Sequence, residues 1–189
     1  MANVGRLWDF HGSHSRHFCS FVCRILIILG HSLARTRQSN LENTFSNTPF
    51  TNPEKRFLRQ LGLIAGGSGI TPMLQIIRHA MRHNDDIEIF LLYANQTEED
   101  ILCREELEKC RDESNGRFHL WYTLDRPPQE GWEYSTGFIN EEMIYDHMPK
   151  RQMAGDTTIC ICGPPPMVKF ACLPNLEKNG WEEENVFVY

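Results

Sequence analysis

The sequence predicts an α/β domain over residues 57–189: a parallel sheet with helices on both faces, preceded by a low-order segment over residues 1–56. Three observations carry this. From Phe57 onward, apolar runs of strand length alternate with amphipathic runs of helix length, the pattern of repeated β–α units. The strand runs are too apolar to leave one face in water, as expected for a sheet covered on both sides. A glycine cluster and a proline cluster each follow one such run directly, where parallel sheets bind ligands.

Leu61 to Ala65 reads as a short buried strand. Thr71 to Met81 follows as a helix, with Thr71 as its N-cap and Pro72 pre-organised for the first turn. Ile87 to Ala94 is the second strand, and Thr97 with Asp100 opens a helix running to about Cys110. Phe118 to Leu124 is the third strand. Asn140 caps a helix through Met148, and Thr157 to Cys162 is a further strand. A last helix spans about Pro166 to Asn179, bent at Pro174, before a closing strand at Val186 to Val188. No internal repeat is present.

Residues 1–56 are dominated by His, Ser, Arg and Asn, and 39–52 are rich in turn formers. Their one apolar run, Phe18 to Leu29, carries Arg24 at its middle. It falls short of the roughly 20 apolar residues a membrane span needs, and a central Arg is costly there. An amphipathic or unstructured segment is expected, not a transmembrane one. The net charge of -6 leaves no basic stripe to neutralise phosphates, which argues against a nucleic-acid partner. Seven cysteines without a CxxC pair fit reduced thiols in an intracellular, cytoplasmic protein better than a disulfide framework.

The glycine cluster is Gly66-Gly67-Ser68-Gly69-Ile70-Thr71-Pro72. Glycines allow positive φ and close approach of a ligand, and the helix that follows offers free N–H groups to an anion. Its spacing lacks the third glycine of the Rossmann fingerprint, and no Lys makes it a P-loop. Taken alone, it is also consistent with a plain tight turn. The proline cluster is Cys162-Gly163-Pro164-Pro165-Pro166-Met167. Three prolines remove three donors and stiffen the backbone into a platform suited to a flat ring. Taken alone, it is also consistent with a rigid loop beside a buried thiol.

Together these two clusters, with Leu120-Trp121-Tyr122-Thr123-Leu124-Asp125 and Gly137-Phe138-Ile139-Asn140-Glu141-Glu142-Met143, resemble the NADH-cytochrome b5 reductases. These belong to the wider group of ferredoxin reductase-like flavoenzymes. The resemblance covers about the last 130 residues. It implies hydride transfer from NADH to FAD, then electron transfer to a cytochrome b5-type haem protein, with peripheral membrane association as in the family. By position it places Gly66, Gly67, Ser68, Gly69, Thr71 and Pro72 at the cofactors, with Ser68 between nicotinamide and flavin where the family more often has threonine. Cys162 stands beside the nicotinamide and orients it by contact, so Ser68 and Cys162 are the candidate catalytic positions. Gly163, Pro164, Pro165, Met167 and Phe138 complete the cofactor-binding set. Asp125 accepts hydrogen bonds from the adenosine ribose and repels the extra phosphate of NADPH; a solvated turn residue is its plainer role.

One departure matters. The family carries a flavin-binding barrel with an Arg-x-Tyr-Ser/Thr motif ahead of the nucleotide domain, and nothing in residues 1–56 matches it. The sequence therefore leaves two readings: a truncated NADH-dependent flavin oxidoreductase, or a catalytically silent NADH-binding or partner-binding module. A zinc site from His11, His14, His17, Cys19 and Cys23 fits no standard spacing and is set aside. Asn95-Gln96-Thr97 is an accidental glycosylation sequon, and Glu98, Glu99, Asp100, Glu105 and Glu106 read as a solvated helix start. Trp121 and Tyr122 are expected in the core and at the rim of the third strand.

Overall fold

The computed structural model describes residues 58–83, 86–150 and 157–189. The low-order N-terminal segment, its apolar run and its His/Cys cluster lie outside the described residues. The elements in order are β1 (Gln60–Gly66), α1 (Ile70–His83), β2 (Glu88–Asn95), α2 (Arg104–Glu113), β3 (Phe118–Leu124), β4 (Ser135–Thr136) and α3 (Glu141–His147). Then come β5 (Thr157–Cys162), α4 (Pro165–Met167), α5 (Leu173–Lys178) and β6 (Val186–Val188).

All six strands are parallel, in the order β4-β3-β2-β1-β5-β6. From β1 the chain winds outward through β2, β3 and β4, then returns to the other side for β5 and β6. The reversal falls between β1 and β5, so the crevice for a ligand opens there, at the carboxyl ends of those two strands.

Strand residues alternate between two cores. Leu61, Leu63 and Ala65 of β1 pack with Ile70, Met73 and Ile77 of α1 and Leu107 of α2. Ile64 faces the other way, joining Ile159 and Ile161 of β5 to Met143, Ile144, Leu176 and Trp181. Both faces of the central strands are thereby dry, as their uninterrupted apolar runs require. No helix among the described residues is long and apolar enough to cross a membrane.

Four elements differ from the sequence reading. The first helix begins at Ile70 behind a 3-10 turn over Gly67–Gly69, so Thr71 lies inside its first turn and is not its cap. The Thr97–Asp100 capping box is present, but it starts only a 3-10 turn (Glu98–Asp100). Cys103 then adopts φ 56°, and the true helix starts at Arg104. A left-handed non-glycine residue cannot sit inside a continuous helix. The acidic start is not simply solvated either: Glu98 pairs with Arg104, and Glu106 takes a two-pronged pair with Arg78 of α1 at 2.6 and 2.7 Å. The last helix is split by a π turn over Val168–Cys172, in which the Leu173 N–H donates to the Val168 carbonyl. Pro174 has no N–H to close an ordinary turn there, and a widened turn accommodates it. β4 carries no sequence signal and is only two residues long.

Candidate functional site

The register brings the two loops together. Ala65, next to last in β1, lies opposite Cys162, the last residue of β5, so the glycine and proline loops leave the sheet side by side. Their contact is close: a Cβ on Gly69 would lie 2.1 Å from the Cys162 carbonyl oxygen and 2.6 Å from its carbon. Only glycine fits there. Gly67 differs, with φ +52° and nothing within 4 Å of where a Cβ would stand. Its backbone is open to whatever enters the crevice above the start of α1. Met167 packs over Gly66, tying the proline loop to the end of β1.

The glycine turn is pinned from two directions. The Thr71 hydroxyl donates to the Ser68 carbonyl at 3.0 Å. The Tyr93 hydroxyl donates to the Gly67 carbonyl at 2.9 Å and accepts the Leu102 N–H at 3.3 Å. Tyr93 therefore clamps the glycine turn to β2 and to the segment that reverses at Cys103. The sequence gives no local signal for this clamp, whose partners lie 26 and 9 residues from Tyr93. Ser68 and Thr71 remain exposed at the mouth, and Cys162 is half-buried. Burial pushes the Cys162 thiol up, which keeps it neutral and suits a contact surface better than a nucleophile.

Burial also pushes the Tyr93 hydroxyl up to about 12, against about 10 for a free tyrosine. A raised folded-state value means that its contribution is whole below about pH 10 and is lost as pH rises through about 12. Tyr93→Phe is expected to cost about 1–3 kcal/mol at neutral pH, because two backbone groups lose their partner. It should also flatten the alkaline decline in that window; buried Tyr122, also raised, leaves some decline behind. Urea midpoints between pH 7 and 12 test this. A parallel decline in both proteins would show that Tyr93 does not titrate with folding.

The far end of the crevice lies two strands away, roughly 10 Å across the sheet. Asp125 follows β3 directly, exposed, with its N–H donating to the Asn95 carbonyl at 3.1 Å. The next residue repeats this: Arg126 N–H donates to the Gln96 carbonyl at 2.9 Å, and its guanidinium reaches the Gln96 amide oxygen at 3.0 Å. The end of β3 is thus held to the end of β2, and Asp125 is exposed there. Phe138 stands nearby because Gly137 donates to the Leu124 carbonyl at 2.8 Å and accepts the Thr123 hydroxyl at 2.7 Å. Phe138 is 77% exposed and presents an apolar surface to solvent. Asn95 of the sequon is buried, so the sequon is closed to modification.

A glycine turn opening onto a helix, a proline platform beside it at the switch point, and an acid two strands away define a dinucleotide-binding α/β domain. The chain belongs to the oxidoreductase NAD-binding domain family, whose model matches residues 63–173. It is 53% identical over 140 residues to NADH-cytochrome b5 reductase 3 of Rattus norvegicus, covering 74% of this chain and 46% of that one. The structure is similar to the cytochrome b5 reductase domain of Ulva prolifera nitrate reductase, with TM-score 0.66 and 44% identity over 70% of this chain and 49% of the other. It is also similar to the CS-b5R domains of human Ncb5or in its NAD+ form, with TM-score 0.59 and 25% identity over 70% and 37%. The chain spans about half the length of the relatives it matches.

Proposed function

We propose that residues 57–189 are the NADH-binding half of a cytochrome b5 reductase-type flavin oxidoreductase. The observation that carries this reading is the meeting of the glycine and proline loops, with Gly69 against the Cys162 carbonyl. The open backbone at Gly67 and the N-terminus of α1 suit the diphosphate. Pro164, Pro165 and Met167 form a stiff wall for the nicotinamide, with Gly163 and the neutral Cys162 thiol at its foot. Phe138 offers its ring to the adenine. Ser68 and Thr71 lie at the mouth, where a flavin ring would meet the nicotinamide and supply the hydride acceptor. On this reading the described residues would supply one side of such a flavin site. The names of the relatives support a cytochrome b5-type haem protein as the final acceptor.

A second reading, a silent NADH-binding module, is favoured by one observation: residues 1–56 contain no Arg-x-Tyr-Ser/Thr motif. Both readings share the dinucleotide site, and Asp125 tests it. A carboxylate opposite a 2′-phosphate repels it, so wild type should bind NADH more tightly than NADPH. Asp125→Ser should narrow that gap by roughly tenfold, about 1.4 kcal/mol, measured by titration calorimetry with each nucleotide. An unchanged ratio would show that Asp125 does not read the ribose.

A further inference from the structure

Both residues proposed for the adenosine end of the dinucleotide stand on one segment, between β3 and α3. Asp125 opens it and Phe138 ends it. The chain leaves the sheet after Leu124 and returns only as β4, which pairs Thr123 with Ser135 and Leu124 with Thr136. So short a strand cannot by itself hold residues 125–134 in one form. Phe138 is 77% exposed, so its place is set mainly by the backbone around it.

One ring supplies what β4 lacks. The Trp121 indole N–H donates to the Ser135 hydroxyl at 2.9 Å. Tyr134 meets the same ring edge-on, with centroids 5.2 Å apart and planes at 80°. His147, the last residue of α3, lies flat against it at 3.9 Å and 11°. Ser135 and Tyr134 precede Phe138 in the chain and His147 follows it, so a single indole grips both flanks. Trp132 closes the loop from within, its indole donating to the Ser135 carbonyl at 2.8 Å. Trp121 is anchored in turn, because it packs on the core that holds Ile139 and Met143. It is only half-buried, although Leu120, Tyr122, Thr123 and Leu124 around it are buried. A rim tryptophan whose N–H reaches a neighbouring element is a clip between elements more than core filling.

We propose that Trp121, through Ser135 and His147, is the positioning residue for the adenosine half of the dinucleotide. It fixes the segment from Asp125 to Phe138 before the ligand arrives. This rests on the reading of the crevice as a dinucleotide site. Ordering a loose segment at the moment of binding subtracts from affinity, and a segment ordered beforehand does not. The nicotinamide half depends on other contacts, Gly69 against Cys162 and Met167 over Gly66, which share no side chain with the clip. Loss of the clip therefore weakens one half of the ligand and spares the other.

Separate titrations of the full chain with ADP-ribose and with reduced nicotinamide mononucleotide test this. Trp121→Phe keeps a ring and drops the N–H, and Ser135→Ala drops its acceptor. Each should weaken ADP-ribose roughly three- to tenfold and leave the mononucleotide within about twofold. The double variant should lose clearly less than the two losses combined, since both remove the same bond. His147→Ala should act in the same direction, and His147→Phe, which returns a flat ring to Trp121, should recover most of the loss. Ser135→Ala, the smallest change, carries the test if a tryptophan variant fails to fold. Unchanged ADP-ribose affinity in Ser135→Ala and His147→Ala would overturn the proposal. So would equal losses for both probes with a lower melting temperature, which mark a purely structural clip. A wild type that binds neither probe would overturn the dinucleotide reading, and this inference with it.

Discussion

Gly69→Ala is expected to weaken NADH binding by roughly 10- to 100-fold and to lower the melting temperature. The added methyl would sit 2.1 Å from the Cys162 carbonyl oxygen. Neither atom belongs to a side chain that can rotate away, so the two loops must part. Overpacking of this kind costs about 1–3 kcal/mol, sometimes more. Each 1.4 kcal/mol is about tenfold in affinity when the strained contact is itself the ligand's cradle. The same cost lowers the melting temperature by roughly 2–8 °C per kcal/mol. Calorimetric titration and a thermal melt of one preparation check both. A variant that keeps wild-type affinity while melting lower would show that the loop contact is purely structural.

The purified 189-residue chain is expected to be colourless and to reduce ferricyanide no faster than NADH does unaided. On the proposed reading, Ser68, Thr71 and Tyr189 are the described residues that would touch a flavin. Tyr189 is held at the tip of β5 by its N–H donating to the Ile161 carbonyl at 2.8 Å. Ordinary hydrogen bonds contribute only about 0.5–1.5 kcal/mol each. Association costs roughly 4–15 kcal/mol before any gain appears. Three such contacts cannot hold FAD through purification, although NADH, whose cleft is formed within the domain, should still bind. A yellow preparation that reduces ferricyanide with NADH would overturn this. Residues 1–56 would then contain a flavin site with a different signature.

Much of the domain was legible locally. β3 and β5 fall at Phe118–Leu124 and Thr157–Cys162 as read, because uninterrupted apolar and β-branched runs between turn formers leave few alternatives. The α3 start was equally readable: the Asn140 side chain accepts the Met143 N–H at 2.9 Å, a bond that spans three residues. Both loops announced themselves by composition, since positive φ and missing donors are properties of glycine and proline themselves.

What stayed hidden depends on partners distant in sequence. β4 exists because the Trp121 indole donates to the Ser135 hydroxyl at 2.9 Å and the Trp132 indole to the Ser135 carbonyl at 2.8 Å. No window of a few residues contains those contacts. The break at Cys103 follows from the clamp that Tyr93 makes on Leu102 and Gly67, 9 and 26 residues away. Apart from β4 and the breaks at Cys103 and Val168–Cys172, the sequence alone determined which segments are strands, which are helices, and which two loops stand out, because periodicity and backbone permissiveness are local. Only the tertiary structure decided that β1 and β5 are neighbours, that Gly69 therefore lies against Cys162, and that Asp125 is tied to the end of β2. Those facts rest on strand order, and strand order is set by burying both faces of the sheet at once.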